Sequence, residues 1–260
     1  MFSKEWLIGL INDIYGDDFI NAAVKAINVP SGTFDNMVNA LSEAVTPIAS
    51  VLICIYFILA VADKMTSDNF SSEQFIKLLM KLVLSIAVTD NITTLSLKIM
   101  NFGVAFSSLM AANAGAFASV DATSLVENMS LGTRISVGIT MLIPWMASLL
   151  LKVAIYVIGL GRSIEIGLRA GLAPIGCADL ISGGTSSNGI RYLKKMIGIS
   201  IQGGIMLVVI SSAGALCQYV LPETASLTNA LFIAQYMGIM AAMVGIMASS
   251  KSLAFELIGA

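Results

Sequence analysis

Apolar residues in this chain recur first at helical spacing and then in long unbroken runs. Leu7, Leu10, Ile11 and Ile14 share one side of a helical wheel while Asn12, Asp13 and Asp17 fall elsewhere. That pattern predicts an amphipathic helix able to lie on a membrane surface, on a partner, or on its own protein. Val29-Pro30-Ser31-Gly32 reads as a turn, after which Phe34, Met37, Val38, Leu41 and Val45 restart the period. Stretches free of Asp, Glu, Lys and Arg then run from Ala44 to Ala62, from Met196 to Pro222 and from Thr224 to Ser250. Each reaches the roughly 18 residues that cross a hydrocarbon layer.

Between these runs the pattern is less regular. Ser71 followed by Gln74 at the third position predicts a capping box that opens a helix over about 72–97, with Lys77 and Lys81 near its start and Asp90 inside it. Pro47 suits the first turn of a span and would kink a longer helix. Residues 99–120 carry no charge but are rich in Gly, Ala, Ser and Asn, so they read as a span, a re-entrant segment or a surface helix. Residues 135–161 are apolar except for Lys152 and long enough to cross with tilt. Ala170 to Ala178 is too short to span, Ser182 to Gly189 is a flexible polar loop, and Leu221-Pro222-Glu223 joins the last two runs as a hairpin.

Composition turns this pattern into a class. Of 260 residues 57% are hydrophobic and 12% charged, with mean hydropathy +0.89, whereas a soluble surface needs about 25% charged residues. The expected fold is an all-α integral membrane protein of about five transmembrane helices with an amphipathic N-terminal helical segment. Residues 1–43 hold too many charges for a cleavable signal peptide. Cys54, Cys177 and Cys217 lie far apart and read as packing residues, and the chain has no His, so the usual metal and Ser-His-Asp constructions lose their central residue. No catalytic, cofactor or metal site is expected. A net charge of −2 without a basic run argues against a large phosphate-neutralising patch, though transient contact with DNA or protein fits.

Basic residues orient the spans. Five fall in 162–195, three in 63–81, and Lys251 lies near the end. Spans at 44–62, 78–97, 135–161, 196–220 and 227–250 place all of them in the cytoplasm. This arrangement puts the N-terminus outside and the C-terminus inside, makes 1–43 extracytoplasmic or interfacial and 99–133 extracytoplasmic or re-entrant, and leaves 162–195 as a cytoplasmic connector.

Arg162-Ser163-Ile164-Glu165-Ile166-Gly167-Leu168-Arg169-Ala170-Gly171-Leu172-Ala173-Pro174-Ile175-Gly176, a Gly/Ser loop, Tyr192-Leu193-Lys194-Lys195 and Ser200-Ile201-Gln202-Gly203-Gly204 together resemble the TrbL/VirB-type polytopic inner-membrane subunit of type IV secretion, or conjugal transfer, systems. The likeness covers roughly 160–210; the N-terminal half carries no diagnostic residues. It implies an oligomeric ring in the bacterial inner membrane, at the base of a translocation channel, that supports substrate transfer and stalk or pilus assembly. A cytoplasmic ATPase, a stalk or pilus subunit and membrane lipid would be its partners.

Several residues are candidates for that work. Arg162, Arg169, Arg191, Lys194 and Lys195 are placed to meet anionic lipid or an ATPase, and Ala173-Pro174 should bend the chain with Leu172 and Ile175 packed against protein. Phe102, Phe106, Leu109, Met110 and Phe117 suit an assembly surface or constriction. Ser200 and Gly204, and Gly238, Ala242 and Gly245, offer the small-residue spacing that lets helices approach closely, between copies or within one chain. Asp90 and Lys152, roughly 18 and 14 Å deep in oppositely directed spans at 1.5 Å per residue, form a candidate intramembrane pair. A secondary transporter is the competing reading, but five spans divide poorly into two halves and no repeat is evident.

Overall fold

A computed structural model of the chain describes residues 3–15, 18–29, 32–66, 71–112, 122–127, 129–180, 187–220 and 230–260. All regular structure among them is helical: α1 Lys4–Tyr15, α2 Asp18–Ile27, α3 Asp35–Met65, α4 Ser72–Ala112, α5 Ala122–Glu127, α6 Leu131–Gly171, α7 Ala173–Cys177, a 3-10 turn Ala178–Leu180, α8 Asn188–Val220 and α9 Ala230–Ile258. Four of these helices, α3, α6, α8 over Asn188–Cys217 and α9 over Ile233–Ile258, are long and apolar enough to cross a membrane. Their outer faces match that composition: Ile48, Val51 and Ile58 on α3 and Ile143 on α6 are all more than half exposed, a surface that a bilayer covers and water would not. The fifth expected span, 78–97, lies inside α4, whose apolar sequence is divided by Lys81, Asp90, Asn91 and Lys98.

Two boundaries differ from the sequence reading. α4 continues unbroken from Ser72 through Ala112, so 99–112 is an extension of that helix, because it holds no Pro and its single Gly costs only about 1 kcal/mol. α3 starts at Asp35 and runs through Pro47, joining the segment before 44 to the apolar run after it. The capping box at its expected place is half formed: Gln74 N donates to Ser71 Oγ at 3.4 Å, while Gln74 Oε1 is buried with no hydrogen bond among the described residues. The hairpin at 221–223 and most of the 182–189 loop lie outside the described residues.

The chain divides into two compact units. The first comprises 1–28, 107–161 and 203–251; the second comprises 29–106, 162–202 and 252–260. In the first, the α1 stripe Leu7, Leu10, Ile11 and Ile14 is wholly buried with Val126 of α5, Met141 and Ile155 of α6, Met206 of α8 and Met240 of α9, while Asn12 and Asp13 stay exposed. Of the three places left open for this amphipathic face, the structure selects its own protein. Burying four aliphatic side chains stabilises that docking by several kcal/mol, at about 1.5–3 kcal/mol each.

The second unit is organised by glycines. Gly167 and Gly171, four apart on α6, face α3: a Cβ at Gly171 would lie 2.7 Å from Leu41 Cδ2, and one at Gly167 3.0 Å from Met37 Cε. This is the small-xxx-small contact that brings helix backbones together without a driving force from water. A Cβ at Gly103 of α4 would lie 2.6 Å from the Ser200 carbonyl oxygen of α8, and one at Gly198 2.7 Å from Phe255 Cδ1 of α9. α6 ends at Gly171, Leu172 leaves helical geometry at φ −89°, ψ 3°, and α7 opens with Pro174 in its first turn, where proline's missing N–H costs nothing. The helix thus breaks at Leu172, one residue before the Ala173-Pro174 step. Ala173 and Cys177 pack with Ile92 of α4, and Ala178 packs with Ile53 of α3.

Because the oxygen facing Gly103 is backbone and cannot swing away, Gly103→Ala is expected to destabilise the protein by about 1–3 kcal/mol. Thermal unfolding in detergent measures this; a midpoint unchanged from the parent would show that α4 and α8 do not cross so closely.

Candidate functional site

The charged side chains within the long apolar helices are the natural place to look for function, since each costs free energy unless it is paired or hydrogen-bonded. Lys152, in the middle of α6, donates from Nζ to the backbone carbonyl of Asp13. One helical turn of carbonyls at the C-terminus of α1 lacks partners within the helix, and α1 has no basic residue in its last turn. Lys152 supplies that cation from another helix, and Tyr236 of α9 adds a second donor, its hydroxyl lying 3.1 Å from the Ile14 carbonyl. Trp145, two turns before Lys152 on the same face, donates Nε1 to Asp13 Oδ2 at 3.1 Å. Together these three side chains latch α1 in the first unit. Asp90, the expected companion of Lys152, lies exposed on α4 in the second unit.

The basic connector resolves into residues of different kinds. Arg162 is buried, and its guanidinium donates to the Ile199 carbonyl at 3.1 Å and the Ser200 carbonyl at 3.0 Å, so it is used between α6 and α8 and is withdrawn from any external contact. Arg169 pairs with Glu165 at 3.0 Å on α6, half-buried. The Arg169 carbonyl, in the last turn of α6, accepts the Tyr192 hydroxyl at 2.6 Å. Lys194 donates to the Gly259 carbonyl at 3.2 Å, just past the end of α9. Arg191 is exposed and Lys195 half-buried. Asp179 Oδ2 accepts from Asn188 Nδ2 at 2.9 Å and from its backbone N at 3.4 Å, placing a carboxylate at the positive end of α8.

The hinge residues Ala173 and Pro174 are buried, and Ile175 is half-buried. Leu172, expected against protein, is 40% exposed, because it occupies the break itself. Burial pushes the nearby Cys177 thiol up to about 12. Among the described residues, no group of three or more Cys, Asp or Glu side chains could hold a metal ion.

The residues expected to form assembly surfaces divide into inward and outward sets. Phe102 and Phe106 stack with centroids 6.4 Å apart, and Phe102 and Leu109 are more than half exposed; Met110 packs on the core of the first unit. Phe117 lies outside the described residues. Ser200 and Gly204 are buried, Ser200 against Gly103. Gly238, Ala242 and Gly245 are exposed, and a Cβ at Gly238 or Gly245 would meet nothing. Gly238 and Ala242 form part of an open apolar groove of about 490 Å³ between α8 and α9 in the first unit, with Val208, Leu216, Ile239 and Ile246. Gly167, Gly171 and Gly103, which close the second unit, were not singled out by spacing. The first two form a Gly-x-x-x-Gly pair legible in the sequence, and Gly103 has Ser107 at the same spacing.

Helices of membrane-crossing length with apolar outer faces define a polytopic helical membrane protein. Residues 22–174 match the family model described as TrbL/VirB6 plasmid conjugal transfer like protein. The chain belongs to that family, which makes it a component of a conjugal transfer, or type IV secretion, system. The matched region lies mostly before the 160–210 stretch on which the resemblance was drawn, in the half that held no diagnostic residues. No curated protein matches the chain.

Two outcomes follow from these contacts. Lys152→Met leaves the end of α1 without its cation and should cost about 1.5–3 kcal/mol, read as a lower melting point and faster proteolytic removal of residues 4–15; Lys152→Arg should recover most of it. Equal proteolysis of all three chains would dissolve the latch. Cys177 should resist maleimide at neutral pH until the protein is denatured. Because its folded thiol titrates above the ordinary value of 9.0, its contribution to stability is present below that pH and is lost as pH rises toward about 12; Cys177→Ala should remove that part of the alkaline slope.

Proposed function

We propose that this protein is a membrane subunit of the conjugal translocation channel that assembles with copies of itself into an oligomeric base supporting substrate transfer and stalk or pilus assembly. The observation that carries this reading is the open face on α8 and α9. Gly103, Gly167 and Gly171 are glycines because another helix of the same unit leaves no room for a side chain, whereas Gly238 and Gly245 face open space within their own chain. A helix interior where glycine costs about 1 kcal/mol relative to alanine, with nothing among the described residues requiring it, is suited to a neighbour outside the protomer. In an apolar medium such closeness is the main source of helix association.

The topology that accompanies this reading has five spans, with the N-terminus outside and the C-terminus in the cytoplasm of an inner membrane; α4 supplies the additional crossing. Arg191 and Lys195, left at the surface when Arg162 turns inward, would then face the cytoplasm, where anionic lipid or an ATPase could meet them. A carrier mechanism would draw on ionisable groups deep in the spans, and Lys152, the ionisable residue in the middle of the α6 apolar run, is already committed to the end of α1.

Gly238→Leu combined with Ala242→Leu separates assembly from folding. The double variant should keep its helical content and melting point, because the groove has room, but run as a monomer in native mass spectrometry where the parent runs as an oligomer, and conjugal transfer should fall. An oligomer that survives both leucines with transfer intact would remove the α8–α9 face from the interface, and a monomeric parent in membrane-mimetic conditions would remove self-assembly altogether.

A further inference from the structure

The start of α4 carries a different kind of open face. Ile76, Met80, Val83 and Leu84 are 55–67% exposed there, and with Leu79 and Ala87 they line a shallow apolar trough of about 580 Å³ lying on α4 alone. Lys81 stands among them. The neighbouring cation is already neutralised, since Lys77 Nζ pairs with Glu73 Oε1 at 2.7 Å. Lys81 is exposed and has no acceptor among the described residues. From Ile76 to Ala87 the trough runs about 16 Å at 1.5 Å per residue, close to half of a hydrocarbon core about 30 Å thick. Helical side chains lean toward the N-terminus, so the Lys81 stem crosses the trough and brings its ammonium toward the turn of Lys77, at the polar end.

We propose that this trough holds an anionic phospholipid, one acyl chain against Ile76, Met80, Val83 and Leu84 and the phosphate on the Lys81 ammonium. The length is that of one leaflet, the lining is apolar, and the single uncompensated cation lies at the level where a headgroup would sit. A zwitterionic headgroup would bring its own cation to Lys81 and lose the advantage; an anionic one keeps it.

The test uses the full chain in vesicles of equimolar phosphatidylglycerol and phosphatidylcholine, with Val83→benzoylphenylalanine as a photo-crosslinker and adducts weighed by mass spectrometry. Phosphatidylglycerol adducts should exceed phosphatidylcholine adducts about fivefold, the effect of one basic residue near the membrane surface. Lys81→Gln should bring the ratio to about one, Lys81→Arg should keep it, and the same crosslinker at Ile143 on α6 should show no preference. Circular dichroism confirms that each variant is folded. Equal adducts in the parent, a preference that survives Lys81→Gln, or an adduct of twice the chain's mass showing a second copy on this face would each overturn the proposal.

Discussion

Each helix leaves its last carbonyls without partners inside the helix, and the arrangement of this protein depends on how those carbonyls are supplied with donors. α1 ends with Lys152 on the Asp13 carbonyl and Tyr236 on that of Ile14. The last turn of α6 receives the Tyr192 hydroxyl, and Gly259, after α9, receives Lys194. Arg162 gives its guanidinium instead to the Ile199 and Ser200 carbonyls, inside α8 and away from its ends. In each case the donor comes from a different helix, so satisfying the backbone also fixes which helices meet. A cation in an apolar helix is expensive when isolated, but at a carbonyl end it meets the negative pole of the macrodipole.

Close helix approach is the second requirement, and it separates the protomer's interior from its exterior. Gly103, Gly167 and Gly171 lie where a Cβ would collide with Ser200, Met37 or Leu41, while Gly238 and Gly245 lie where it would touch nothing. The first set holds the second unit together; the second set is the one on which we propose assembly. Both sets are glycines inside long helices, so only the surroundings tell them apart.

Much of this was legible in the chain. The buried stripe of α1 was given residue by residue by helical periodicity at Leu7, Leu10, Ile11 and Ile14, because a helix with one apolar side must bury it. The helical class, the long runs that became α3, α6, α8 and α9, and the break beside Ala173-Pro174 came from hydropathy and from proline's missing donor. The family resemblance was visible in 160–210, while the family match extends over 22–174. The far ends of helices were less legible: α4 reaches Ala112 and α3 begins before the charge-free run, since a helix continues until a breaker stops it, whatever its polarity.

By itself, then, the sequence determined that the protein is helical, that it belongs in a membrane, which faces of its helices are apolar, and that no His-based chemistry is present, because periodicity and composition are local properties of the chain. Tertiary structure alone decided what each charge and each glycine is for. Arg162 and Arg191 look alike in a basic connector, yet one is buried on α8 carbonyls and the other is exposed; Lys152, a cation in an apolar run, caps a helix more than a hundred residues away. The physical reason is that desolvation, hydrogen-bond supply and close packing depend on which helices lie side by side, and contacts across such separations have no period in the sequence to announce them.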